Sequence, residues 1–119
     1  MPEPAADGLI GMGWLYALHA RSSIARGKAW QAEHMISVRD QALALACLRH
    51  GLPTAHGKGI DGLPPEALAG KDGTLVRSLE LPELKRAFTA AVEFLAGELE
   101  RSDAALAGRL GATLRDLAR

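Results

Sequence analysis

Gly27-Lys28-Ala29-Trp30-Gln31-Ala32-Glu33-His34-Met35-Ile36-Ser37-Val38-Arg39-Asp40, continued by Gln41-Ala42-Leu43-Ala44-Leu45-Ala46-Cys47-Leu48-Arg49-His50, is the stretch on which the fold turns. At roughly 100° per residue, Ala32, Met35, Ile36, Ala42, Leu43, Ala46 and Cys47 share one helical face, with Arg39 in its middle. From Leu43 onward, Leu45 and Leu48 add apolar surface on the opposite side, which predicts a helix buried on more than one side. Gly27 reads as the stop of a preceding helix and Gly51 as the stop of this one, while Pro53 forbids continuation. The reading is a continuous helix over 28–50, the most buried element and central member of a bundle.

The rest of the chain agrees with a helical domain. Its 119 residues fit one domain, and 48% apolar residues can form a single core, built from aliphatic and alanine packing because only 4% are aromatic. Val and Ile are few and no stretch alternates apolar with polar residues, so the class is all-α. Fourteen basic and fourteen acidic residues cancel, which removes the electrostatic footprint of a dedicated duplex nucleic-acid binder and leaves a local anion site open. Cys47 is the single cysteine, so no internal disulfide forms, and its apolar face makes it a small buried hydrophobe. No apolar run approaches the roughly 20 residues of a membrane span, and the first residues are acidic, so the expected location is cytoplasmic.

Residues 1–7 hold two prolines and two acids and read as a disordered lead or linker remnant, with the domain over 8–119. Asp7 is positioned to cap a first helix over 8–26, whose stripe of Ile10, Trp14, Ala17, Leu18, Ile24 and Ala25 includes Arg21. Gly11 and Gly13 weaken that helix unless something packs closely on them. The 52–63 stretch, with Pro53, Gly57, Gly59 and Gly62, is a loop long for a compact bundle. Pro64-Pro65-Glu66 opens a short helix, Gly70-Lys71-Asp72-Gly73 interrupts it, and 74–79 resumes it. Pro82 opens a long helix to about residue 101, with Leu84, Ala87, Phe88, Ala91, Leu95 and Leu99 inward and Glu83, Lys85, Arg86, Glu93 and Glu98 solvated. Ser102 is the expected cap of a last helix over 103–118. The predicted architecture is an antiparallel helical bundle of four principal helices plus a short connecting helix.

The densest polar constellation surrounds the first helix junction: His19, Arg21, Ser22, Arg26, Lys28, Glu33, His34, Ser37, Arg39 and Asp40. On a continuous helix, Glu33 and Asp40 project from one side about 10 Å apart, with Ser37 between them, and one carboxylate could act as a general base. The alternative is that both form ion pairs with Arg21, Arg26 or Arg39. Arg39 lies inside the apolar stripe and needs a partner, either an acid on another helix or a substrate carboxylate or phosphate. Arg26 and Lys28 flank a helix start that favours anions, and they equally suit the negative end of the first helix. His19, His34, His50 and His56 show no metal-ligand spacing, so no metal site is expected.

Leu18-His19-Ala20-Arg21-Ser22-Ser23-Ile24-Ala25-Arg26-Gly27-Lys28, then Trp30-Gln31-Ala32-Glu33-His34-Met35-Ile36-Ser37, Arg39-Asp40 and Leu43-Ala44-Leu45-Ala46, resemble the C-terminal helical, substrate-binding domain of antibiotic-type nucleotidyltransferases of the kanamycin and lincosamide group. The resemblance spans about residues 9–100 and is most specific in the Gly-Lys-x-Trp-x-Ala-Glu and Arg-Asp segments. It implies a transferase in which an α/β catalytic domain, in cis or in trans, binds a nucleoside triphosphate and Mg and transfers a nucleoside monophosphate to a hydroxyl. The helical domain then closes the cleft, contacts the acceptor and often helps form a dimer. The resemblance places a candidate base on Glu33 and substrate contacts on Arg26, Lys28, Trp30, Ser37, Arg39 and Asp40. The α/β domain is absent from this sequence, so the chain alone is expected to be inactive and to carry no cofactor.

Two other readings stand beside it. One is a plain interaction or dimerisation module. The other is an HEPN-like RNase subunit paired with a minimal nucleotidyltransferase, for which Arg49 and His56 fit an Arg-x4-6-His spacing, although Gly51 and Pro53 fall inside the motif.

Overall fold

The structure is a computed structural model that describes residues 5–119. It contains helices α1 (Ala6–Ala25), α2 (Ala29–Met35), α3 (Val38–Arg49), α4 (Leu81–Ser102) and α5 (Ala104–Asp116), and no strand among the described residues. Of the lead expected over 1–7, residues 1–4 lie outside the described residues, and its last two residues are not a lead, because α1 already begins at Ala6. Ala5 rather than Asp7 stands at the N-cap of α1, and Asp7 sits in the first turn, where a carboxylate suits the helix dipole.

Both glycine stops are present. At the end of α1, Gly27 takes a φ of 70° and the Lys28 amide donates back to Ser23 O at 2.9 Å. At the end of α3, Gly51 also has a φ of 70° and the Leu52 amide donates to Cys47 O at 2.8 Å. This wrap-back bond satisfies carbonyls that a helix end otherwise leaves open, and its left-handed residue favours glycine.

The 28–50 helix is not continuous. It breaks at Ile36–Ser37, where the Ser37, Arg39 and Asp40 amides turn to acceptors three residues back, at 3.2, 3.0 and 2.8 Å. Ile36 and Val38 explain the break: both are fully buried, yet two residues on one straight helix point about 200° apart. A tight turn between α2 and α3 lets both enter the core, and the β-branched pair gives little helix preference to oppose it. Nor is this segment the most buried element. Seven-residue α2 buries only Ala32, whereas α4 buries a full face including Leu84, Ala87, Phe88, Ala91, Val92, Leu95 and Leu99. Helix α4 packs against α1, α3 and α5, so the core forms around it.

The buried face of α1 runs through Ile10, Gly13, Ala17, Ala20 and Ile24, leaving Leu18, Arg21 and Ala25 exposed. Leu95 explains this rotation: a Cβ at Gly13 would meet its Cδ atoms at 3.0 and 3.3 Å, so α1 approaches α4 through its glycine. Between α3 and α4 the chain forms 3-10 turns at Ala55–Gly57, Ile60–Gly62, Pro65–Leu68 and Lys71–Thr74. The helix expected over 74–79 does not form. Arg86 holds that segment extended, donating from Nη1 to Gly73 O at 2.8 Å and from Nη2 to Leu75 O at 2.9 Å. Glu83 accepts the Arg77 amide at 2.8 Å and pairs with Arg86 Nε at 2.6 Å. Asp103, rather than Ser102, caps α5 by accepting the Leu106 amide at 3.0 Å.

Candidate functional site

The junction between α1 and α2 carries most of the residues singled out above. Arg26 is the C-cap of α1 and Lys28 the N-cap of α2, both exposed. Trp30 follows in the first turn of α2 and is 75% exposed, the most exposed large hydrophobic side chain among the described residues. Glu33 and His34 lie one turn further on, also exposed. None of Arg26, Lys28, Glu33 or His34 forms an ion pair among the described residues. The expected pairing of Glu33 with Arg21, Arg26 or Arg39 is therefore not made.

Ser37, Arg39 and Asp40 fall on the other side of the break. The break removes the basis for placing Glu33 and Asp40 two turns apart on one helix. Arg39, 24% exposed, finds its partners locally: Nε pairs with Asp40 Oδ1 at 3.2 Å and Nη1 donates to Thr74 O at 3.3 Å. No acid from another helix meets it among the described residues. The carbonyl of Thr74 and the neighbouring carboxylate engage two of the guanidinium's donors within the fold. With α2 only seven residues long, its N-terminus is too short to act as an anion site by itself.

A second cluster was not legible as a site. Glu98, placed on the solvated side of α4 by its charge, is fully buried. Arg49 donates from Nε to Glu98 Oε2 at 3.3 Å and from Nη2 to Oε1 at 3.0 Å, and Arg101 Nη1 reaches Oε1 at 3.2 Å. The signal was present in spacing: Glu98 lies on the same helical row as Leu84 and Ala91, at intervals of seven, and both are buried. His56 stands apart from this cluster on the Ala55–Gly57 turn, exposed and at a φ of 58°. No group of three His, Cys, Asp or Glu side chains able to hold a metal converges among the described residues. No described helix is long and apolar enough to cross a membrane.

Comparison with known proteins finds no matching family model, no matching characterised protein and no matching solved structure.

Proposed function

We propose that this chain is the helical companion domain of a nucleotidyltransferase, closing the cleft of an α/β catalytic domain and contacting the acceptor. The observation that carries the reading is Trp30, an indole 75% exposed and flanked along the chain by Arg26, Lys28, Glu33 and His34, none of them paired with another charge among the described residues. A large aromatic left in water amid unengaged charges suits a surface completed by another body. The same residues carry the resemblance to the kanamycin and lincosamide nucleotidyltransferases.

In this reading the principal helices form an antiparallel bundle whose α1–α2 end meets the catalytic domain. Trp30 packs against that domain or the acceptor, and Arg26 and Lys28 draw anionic groups to the cleft. Glu33 takes the proton of the acceptor hydroxyl as its oxygen attacks the α-phosphorus of the nucleoside triphosphate and the bond from that phosphorus to the departing pyrophosphate breaks. Ser37, Arg39 and Asp40 support the cleft from the far side of the break. The nucleoside triphosphate and Mg belong to the catalytic domain, so the isolated chain transfers nothing. The ribonuclease reading has no comparable support, because Arg49 commits two donors to Glu98 and Gly51, at a φ of 70°, separates its helix from His56.

Binding to the catalytic domain encoded with this chain tests the reading. Trp30→Ala is expected to weaken association at least about tenfold, the scale of a central aromatic anchor, without lowering the melting temperature. Unchanged affinity would remove Trp30 from the interface.

A further inference from the structure

A cleft of about 330 Å³ opens where the end of α1, the first half of α4 and the C-terminal turn after α5 meet. Its floor is apolar, formed by Ile24 of α1, Phe88 of α4 and Leu117 beyond α5. Its rim carries three cations, Arg21, Lys85 and Arg119, and no acidic side chain lines it. Thr89 of α4 donates its single hydroxyl proton to Lys85 O at 3.0 Å, with Ala118 O of the C-terminal turn a more distant acceptor at 3.4 Å. None of Arg26, Lys28, Trp30 or Glu33 lines this cleft.

The charges at the rim are the informative feature. Arg119 pairs with Asp116 at 3.2 Å, in a contact exposed on both sides. Arg21 and Lys85 have no carboxylate partner among the described residues. The whole chain is neutral, so a cleft whose charged lining side chains are all cationic is a local departure from composition. Low-dielectric walls beneath like charges focus the field and raise the local concentration of anions. A guanidinium and an ammonium both bind phosphate or carboxylate, the former through paired N–H donors. The volume lies at the lower end of the range for small-molecule sites, about 300–1,000 Å³.

We infer that this cleft binds a small organic anion, its apolar body on Ile24, Phe88 and Leu117 and its phosphate or carboxylate on Arg21 and Lys85. The inference is independent of the role proposed for Glu33. It requires both halves of the ligand, since the floor offers no polar group for a bare ion and the rim gives a neutral ring no charge complement.

Three probes separate these contributions: 1-naphthyl phosphate, neutral 2-naphthol and inorganic phosphate, each titrated into the isotope-labelled protein at low salt. Naphthyl phosphate is expected to shift the resonances of Ile24, Phe88 and Leu117 and to bind at least about tenfold more tightly than either partial probe. Raising the salt should weaken it, as for any exposed charge contact. Arg21→Glu with Lys85→Glu should abolish the preference for the phosphate ester, and the neutral pair Arg21→Gln with Lys85→Gln should reduce it. Both positions are exposed, and a melting curve on each variant establishes that it is folded. Equal binding of naphthol, unaltered affinity in both double variants, or shifts confined to the separate groove lined by Trp14, Leu95 and Leu110 would each overturn the inference. Absence of binding at millimolar probe would do the same.

Discussion

Arg49 at the end of α3 holds the fully buried carboxylate of Glu98 on α4 through two hydrogen bonds of 3.3 and 3.0 Å. Arg101 completes the arrangement from one turn further along α4, at 3.2 Å. The three side chains tie α3 to α4 where α3 ends and the long connection begins. A buried carboxylate owes its tolerance to such partners, and losing one is more costly than removing the charge.

Arg49→Ala is therefore predicted to destabilise the fold by about 3 kcal/mol, the low end for breaking a buried pair, since Arg49 itself remains 28% exposed. Glu98→Leu, which fills the space and removes the charge, should cost less than Arg49→Ala. Urea unfolding of both variants checks the order, and a larger loss in Glu98→Leu would refute it.

Glu83 gives a prediction in pH. Hydrogen bonding to Arg86, and then to the Arg77 amide, lowers its carboxyl from the ordinary 4.5 to about 2. The native state thus favours the ionised form, and the contribution is fully present above the unfolded value. It is lost as the pH falls from about 4.5 through about 2. Wild type should be more stable than Glu83→Gln at neutral pH, and the gap should close across that acid window. A gap that stays constant down to pH 2 would contradict the clamp on the 73–77 segment.

Two glycines should respond oppositely to alanine. At Gly59 a Cβ would collide with the Pro53 carbonyl and lie 2.9 Å from Leu52 Cβ, so Gly59→Ala is predicted to destabilise by about 1–3 kcal/mol. Gly11 lies inside α1 with nothing within 4 Å, and Gly11→Ala should stabilise by about 0.5–1 kcal/mol. A melting temperature unchanged or raised in Gly59→Ala would count against the close approach of Leu52 and Pro53 to Gly59, and one lowered in Gly11→Ala against the open space beside Gly11.

These residues also mark what the sequence made legible. Gly27 and Gly51 announced their helix ends because a left-handed residue after a helix has a narrow chemical preference. The inward face of α4 was legible because its apolar residues repeat at helical spacing from Leu84 to Leu99, about four turns. The break at Ile36–Ser37 was hidden, since the apolar pattern on either side reads as one face until Ile36 and Val38 are required in the same core. Glu98 was hidden behind its charge, and the extended 75–80 segment behind contacts made by Arg86 and Glu83. Such tertiary partners override local preference. At the candidate site, the exposure of Trp30 and the lack of an ion pair at Glu33 among the described residues emerge only once the helices are placed.

The role proposed for Glu33 is that of the base in a two-domain transferase. The decisive measurement is the turnover of this chain assembled with the catalytic domain proposed for it, compared between wild type and Glu33→Gln, with melting temperature recorded on the same samples. The account predicts a loss of at least about a hundredfold in turnover, the usual scale for a missing general base, with little change in nucleotide affinity or melting temperature. Unaltered turnover in the folded Glu33→Gln enzyme would contradict it.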